Sequence, residues 1–538
     1  GATWTAVTLG GVINGQVRFH PIDPQRALAV FPILTSDLED TGFVAPYFTT
    51  DAGLTWQPSS GIDSKIQGLT MEYFTAQPSL VIAFSTVRSA RLEKLWRSDD
   101  GGMTFRSIGE TPTYGDNMRV IATWIAPHDP NVILTGAVSL TRTLDGGAST
   151  GYIMHVVGNT EVPHADVHGF AHDPRFDGVR NKRVFVFGDG GIYRTDDILA
   201  PTVEWTYLPF PNTQMYGFDV SAGGRVIMAM QDTGMALMEA GSTDASHPWD
   251  GDISTATFDR TDDRAFFVTW ITGPFGPGTV ERGNFPPAFA DTRLGRNTFA
   301  GTFTDCFTID PNDPRRMFVG SASILRLDGI QGSMPERTTI IRTYPELQMM
   351  TTIAVQPGNS NVVWVGRYEN RGMDGEHATI EKTTRALSDS PQWQEVFQLP
   401  GSLGPIVRIV VDPDDEKVIY VLAFKGLLVT NDGGATWRNA TESAPPQLVT
   451  GVTAALFDFV RHPFRTDWWY IAGLKGLYAT SDAGATWQPA DTVIGRSQVT
   501  HLLFAPGTQT LWASVWSRGL WSLDIPAPTP PRKRVIRP

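Results

Sequence analysis

The segment Pro163-His164-Ala165-Asp166-Val167-His168 sets two imidazoles and a carboxylate at alternate positions. Alternate residues of a strand share one side, so His164, Asp166 and His168 are predicted to project together. Downstream, Gly188-Asp189-Gly190-Gly191, Gln214-Met215-Tyr216 and Gln231-Asp232-Thr233-Gly234 add carboxylates, amides and a phenol. Two neutral imidazoles with a carboxylate could hold a divalent metal ion, with His164, Asp166 and His168 as its candidate ligands. Otherwise Asp166 orients a histidine, or Asp189, Asp166 and Asp232 supply a carboxylate pair for acid–base work. His164, His168, Gln214, Tyr216 and Gln231 are the candidate ligand-binding groups. The plainer reading has these groups hydrogen-bonding one another to finish an irregular sheet.

Other candidates are thinner. Arg88 and Arg91, then Arg367-Tyr368-Glu369, then Trp516 and Arg518 each follow a predicted strand and would share the same end of the fold. Arg367, Trp516 and Arg518 are taken as further ligand-binding candidates, against the alternative of solvated rim charges. Trp124, Trp270 and Trp516 could offer flat faces to sugar rings, although tryptophans of this kind more often pack in a core.

A repeat must position these residues. Thr430-Asn431-Asp432-Gly433-Gly434-Ala435-Thr436-Trp437 returns as Thr480-Ser481-Asp482-Ala483-Gly484-Ala485-Thr486-Trp487. Thr49 to Trp56 and Ser98 to Phe105 have the same form, and Thr143 to Ser149 is a decayed copy. The octet suits a hairpin: the carboxylate accepts backbone N–H groups, Gly takes a positive φ, and the aromatic enters the next strand. Between octets, a strand, a Pro-containing turn and another strand recur, as in Val411-Asp412-Pro413-Asp414-Asp415. Each unit reads as four antiparallel strands, and about eleven units of roughly 40–50 residues are predicted. The fold class is therefore all-β, a propeller of about 10–11 four-stranded blades in one large ring. Two smaller propellers are the alternative.

The final unit stops after its third strand, and Gly1-Ala2-Thr3-Trp4 matches the end of an octet. The N-terminal strand is therefore expected to complete the last blade and close the ring over residues 1–525, removing an exposed edge. Residues 526–538, Pro-rich and then basic at Arg532-Lys533-Arg534, read as a tail or a linker and a possible point of attachment. In a blade, the octet turns and the start of the first strand lie at opposite ends. The octets are expected to be structural, and function is sought at the other end.

Bulk properties bound the partners. The chain has 538 residues, 41% hydrophobic and 18% charged, which supports a packed interior. A net charge of −13 argues against nucleic acid as a partner. No apolar run is long enough to span a bilayer. A single cysteine, Cys306, excludes an internal disulfide framework and agrees with an extracytoplasmic setting.

The octets resemble the Asp box, or BNR repeat, of sialidase-type propellers, and three families share this grammar. Sialidases are one, but their Arg-Ile-Pro-type segment is missing near the N-terminus. Sortilin-like large propellers, which bind peptides or proteins without catalysis, are another. The third is the xyloglucan-hydrolase-like group of tandem propellers. Gly10 to Pro21 looks like its opening, and Phe187-Gly188-Asp189-Gly190-Gly191-Ile192-Tyr193-Arg194 looks like one of its turns. That resemblance implies an inverting glycoside hydrolase with two aspartates. Asp189 would be one and Asp37 the other, although Thr35-Ser36-Asp37-Leu38-Glu39 lacks the expected Gly-Gly. The expected function is a secreted or cell-surface propeller that binds a protein or a glycan. The alternative is a glycoside hydrolase acting on polysaccharide.

Overall fold

The computed structural model describes residues 16–34, 40–87, 92–112, 122–154, 162–208, 213–249, 251–272, 279–284, 288–296, 306–320, 322–332, 335–345, 348–370, 376–445, 455–490 and 493–525. Within them the chain forms eleven antiparallel sheets, ten of four strands and a last one of three. In each, consecutive strands are neighbours. We number these blades one to eleven, starting near residues 16, 68, 122, 167, 215, 252, 306, 348, 406, 456 and 499. They coincide with the eleven sequence units. A three-residue 3-10 turn, Gly401–Leu403, is the helical element among the described residues.

Strand sequences explain the sheets. Ile419–Ala423 and Trp469–Gly473 are second strands buried along their whole length, because each is covered by the sheets on both sides. Blades pack through such residues: Trp364, Ile380, Ile409 and Val421 join blades eight and nine, and Tyr420, Phe459 and Trp469 join nine and ten.

The octets fold as their composition predicts. In blade nine, Asp432 Oδ1 accepts from the Thr436 N–H at 2.9 Å and the Thr430 hydroxyl at 2.7 Å. Its Oδ2 accepts from the Thr436 hydroxyl at 2.6 Å. Asp51, Asp145 and Asp482 repeat this pattern with Thr55, Ser149 and Thr486. Hydroxyl and amide donors hold all four carboxylates at a pKa of about 2. The octet glycine is left-handed, at φ 100° in Gly434 and 84° in Gly484.

The chain divides into two compact units, 1–210 and 211–538. The first holds blades one to four, packed in sequence order. The second holds blades five to eleven, and it closes on itself. The Thr500 hydroxyl of blade eleven donates to the Met215 carbonyl of blade five at 2.9 Å, and the ring of Phe218 meets that of His501 edge-on at 5.0 Å. In this unit the first strands of most neighbouring blades, blades five and eleven included, lie side by side and so line the axis.

Buried carboxylates tie these inner strands. Asp219 of blade five accepts from the Phe258 N–H of blade six at 2.9 Å. Asp458 of blade ten accepts from the Leu502 N–H of blade eleven at 2.8 Å and pairs with Arg408 at 2.9 Å and His501 at 2.7 Å. Burial opposes the charge on Asp458, but Arg408 and His501 prevail and hold its pKa below the ordinary carboxylate value.

The all-β propeller and its eleven blades stand, and the ring takes a different size. Blade five already has two neighbours inside its own unit, so seven blades complete a ring, which is the expectation of smaller propellers. Gly1 to Trp4 and the tail 526–538 lie outside the described residues, as does the strand expected to complete blade eleven.

Candidate functional site

In the first unit, the candidates gather at the start of blade four. Its second and third strands, Val184–Gly188 and Gly191–Thr195, are joined by a two-residue turn, Asp189-Gly190. That turn rests on the segment before the first strand. A Cβ on Gly190 would stand 2.3 Å from the Cβ of His164, so only glycine allows this approach. The Asp189 carboxylate meets His168 Nε2 at 2.5 Å, with the imidazole half exposed. This is a carboxylate-oriented imidazole, suited to moving a proton or gripping a polar ligand.

The expected alternation of His164, Asp166 and His168 fails for a local reason. The strand begins only at Val167, Asp166 is left-handed at φ 61°, and the pairing register shifts between Val167 and Gly169. His164 Nδ1 instead meets the carbonyl of its neighbour Ala165 at 3.0 Å. Among the described residues no three His, Cys, Asp or Glu side chains gather so as to hold a metal ion. The alternation on which the divalent-metal expectation for His164, Asp166 and His168 rested is therefore not found.

In the second unit, the candidates converge at the end of the ring where the inner strands begin, which we call its mouth. Blade five supplies Gln214 from just before its first strand, Tyr216 from within it, and Gln231 and Asp232 from the turn between its second and third strands. The Gln231 N–H donates to the Gln214 carbonyl at 2.9 Å, closing that turn onto the strand. The Tyr216 hydroxyl donates to Gln231 Oε1 at 2.7 Å. Trp516 reaches the same place from blade eleven, its ring 6.2 Å from that of Tyr216 and tilted by 58°.

Blade six adds Asp252, whose carboxylate accepts from the Asp232 N–H at 3.0 Å. Asp232 is left-handed at φ 59°, and its carbonyl accepts from the Gly251 N–H at 3.0 Å. Burial first, then the charges of Asp252 and Asp232, push the Tyr216 pKa well above the ordinary phenol value. Tyr216 therefore stays a hydrogen-bond donor at any physiological pH. All of Gln214, Tyr216, Gln231, Asp232, Asp252 and Trp516 are partly exposed. Two tilted aromatic faces beside a phenol, amides and two carboxylates form a surface that can grip a flat, hydroxyl-bearing ligand.

Arg518, partly exposed, is engaged by the neighbouring loop. Its guanidinium donates to the Ile494 carbonyl and the Ser497 hydroxyl, both at 3.1 Å. It thereby holds the loop whose Gln498 carbonyl accepts from the Trp516 N–H at 2.9 Å. Arg518 positions Trp516.

Arg367 is not brought to the mouth. It pairs with Glu395 at 2.8 Å and with the buried Glu381 at 3.4 Å, and Glu381 also takes Arg342 at 3.0 Å and the Tyr344 hydroxyl at 3.1 Å. This is a core network. Trp124 is core as well, its indole N–H donating to His172 at 3.0 Å. Asp37, Arg88, Arg91 and the side chain of Trp270 lie outside the described residues.

Sequence reasoning missed Asp252. The signal was available: it opens the first strand of blade six, just as the chosen residues open those of blades four and five.

No protein-family model and no curated protein matches the chain. Solved structures do. An ancestral GH74 enzyme is similar over 95% of this chain and 86% of that one, at 12% identity and a TM-score of 0.59. The extracellular domain of a one-component system from B. thetaiotaomicron covers 93% of this chain and is matched over 65% of its own length, at 13% identity and 0.40. The GH74 xyloglucanase from Xanthomonas campestris matches 97% of this chain and 100% of its own, at 14% identity and 0.29. The first likeness shows the fold and nothing further; the other two, below 0.5, add no argument. The class is thereby set: this chain is a β-propeller protein.

Proposed function

We propose that the chain is an extracytoplasmic propeller of the Asp-box type that binds carbohydrate at the mouth of its seven-blade ring. The observation that carries this reading is the Tyr216–Trp516 pair, with the Tyr216 hydroxyl held by Gln231 above Asp232 and Asp252. Aromatic faces accept the C–H side of a sugar ring, while amides and carboxylates meet its hydroxyls. The net charge of −13 and the single cysteine support the setting and weigh against nucleic acid.

A hydrolytic reading needs two carboxylates facing one glycosidic bond. Asp189 is the residue on which it would rest, and the likeness in fold to a GH74 enzyme keeps it in view. A glycan array followed by calorimetry on the whole chain tests the binding reading. A glycan that binds saturably, and is weakened at least tenfold by Trp516→Ala, would support it. Release of reducing ends that disappears in Asp189→Ala would instead make the chain a hydrolase. Failure of every glycan to bind or to be cleaved would end both.

A further inference from the structure

At the other end of the same ring, the facing sides of blades nine and ten enclose a groove of about 300 Å³. It is lined by Val418, Val429 and the buried rings of Tyr420 and Trp469, with the buried Asp412 carboxylate accepting from the Tyr420 hydroxyl at 3.1 Å. Its rim is polar and mixed in sign. Asp414, Asp415, Asn431 and Arg438 all line it.

The rim groups are held in place yet keep spare capacity. Arg461, underneath, pairs with Asp412 at 3.1 Å and Asp414 at 2.6 Å, while the Asp414 side chain stays 65% exposed. Asp415 Oδ1 accepts from the Lys417 N–H at 3.0 Å. Arg438 spans the two blades, donating through Nη2 to the Ala483 carbonyl at 2.9 Å and lying 5.7 Å over the Trp469 ring. A guanidinium carries five N–H donors and a carboxylate about four acceptor sites, so one bond exhausts neither. The exposed Asn431 amide offers both donor and acceptor.

Charge decides what such a groove takes. A cationic ligand would meet Arg438, and an anionic one would meet Asp414 and Asp415. A neutral ligand whose every polar group both donates and accepts can satisfy guanidinium and carboxylates together, and the sugar hydroxyl is such a group. Size narrows it further, since small-molecule pockets start at about 300 Å³. We infer that this groove is a second carbohydrate site, sized for a single neutral sugar ring. The octet of blade nine then has two duties. Asp432 is consumed by its own turn, while its neighbour Asn431 faces the groove.

The groove shares no residue with the mouth, so the two can fail separately. Saturation-transfer NMR on the whole chain carrying Trp516→Ala reads the groove without the mouth. The probes are D-glucose, D-galactose, D-mannose and D-xylose, with D-glucosamine and D-glucuronate as charged controls. At least one neutral sugar should saturate at about millimolar concentration, the range of a weak single-ring site, and both charged controls should bind at least fivefold more weakly. Adding Asn431→Ala, or Arg438→Lys, should weaken that sugar at least fivefold. No saturation by any neutral sugar would overturn the site. So would a charged control binding as well as the best neutral one, or affinity unchanged by Asn431→Ala.

Discussion

The octet turns and the ring mouth use the same residue types to opposite ends. In the octets, Asp432 and Asp482 spend both oxygens on hydroxyl and amide donors within four residues. At the mouth, Asp252 reaches across from the next blade, and Tyr216 and Gln231 bond side chain to side chain. A carboxylate consumed by its own turn shapes the backbone. One held between blades remains on offer to a ligand. Asp458 is a third case, a carboxylate enclosed by three blades and offered to nothing.

The sharpest way to break this division is to remove each kind in turn. Asp458→Ala leaves Arg408 and the Leu502 N–H without their acceptor in a buried setting, where losing one partner costs about 3–5 kcal/mol. Arg408 and His501 are partly exposed, so urea unfolding should read a loss near about 3 kcal/mol. Trp516→Ala should leave unfolding nearly unchanged but weaken the bound glycan by about 2 kcal/mol, the scale of an aromatic anchor. Tyr216→Phe, which removes the hydroxyl's acceptor site and its hold on Gln231, should cost about 1 kcal/mol of affinity.

The octets should answer to acid instead. The Asp482 pKa is lowered from 3.8 to about 2 in the folded chain. Its contribution is therefore complete above the unfolded value and is lost as pH falls through the folded one. Melting curves of wild type and Asp482→Asn should differ at neutral pH and converge as pH drops from about 4 to about 2. The smallest effect has the opposite sign. Ala483 and Ala52 occupy left-handed positions at φ 55° and 60°, where glycine carries no steric penalty. Ala483→Gly should stabilise by up to about 1 kcal/mol, a gain readable in urea.

Much of the fold was legible because each blade is a local repeat. Octets mark the turns, Pro-containing turns mark the other hairpins, and buried second strands such as Ile419–Ala423 mark the interior. Ring size was not legible, because it is set by which blade meets which. Thr500 reaching Met215, 285 residues away, leaves no trace in either local sequence. The site was half legible. Gln214, Tyr216, Gln231, Asp232 and Trp516 do gather, as their places at strand ends suggested. The shared side expected of His164, Asp166 and His168 failed because Asp166 turns left-handed, which alternation cannot foresee. Arg367 failed because its acidic partner Glu381 comes from the neighbouring strand.

The most direct test pairs two single substitutions against one glycan by calorimetry on the whole chain. With the best array ligand, Trp516→Ala should weaken binding at the mouth by about 2 kcal/mol, roughly thirtyfold, while Asp482→Asn leaves the affinity at the wild-type value. Equal losses in both variants, or binding that survives Trp516→Ala intact, would contradict the assignment of ligand contact to the interblade mouth and of pure scaffolding to the octet carboxylate.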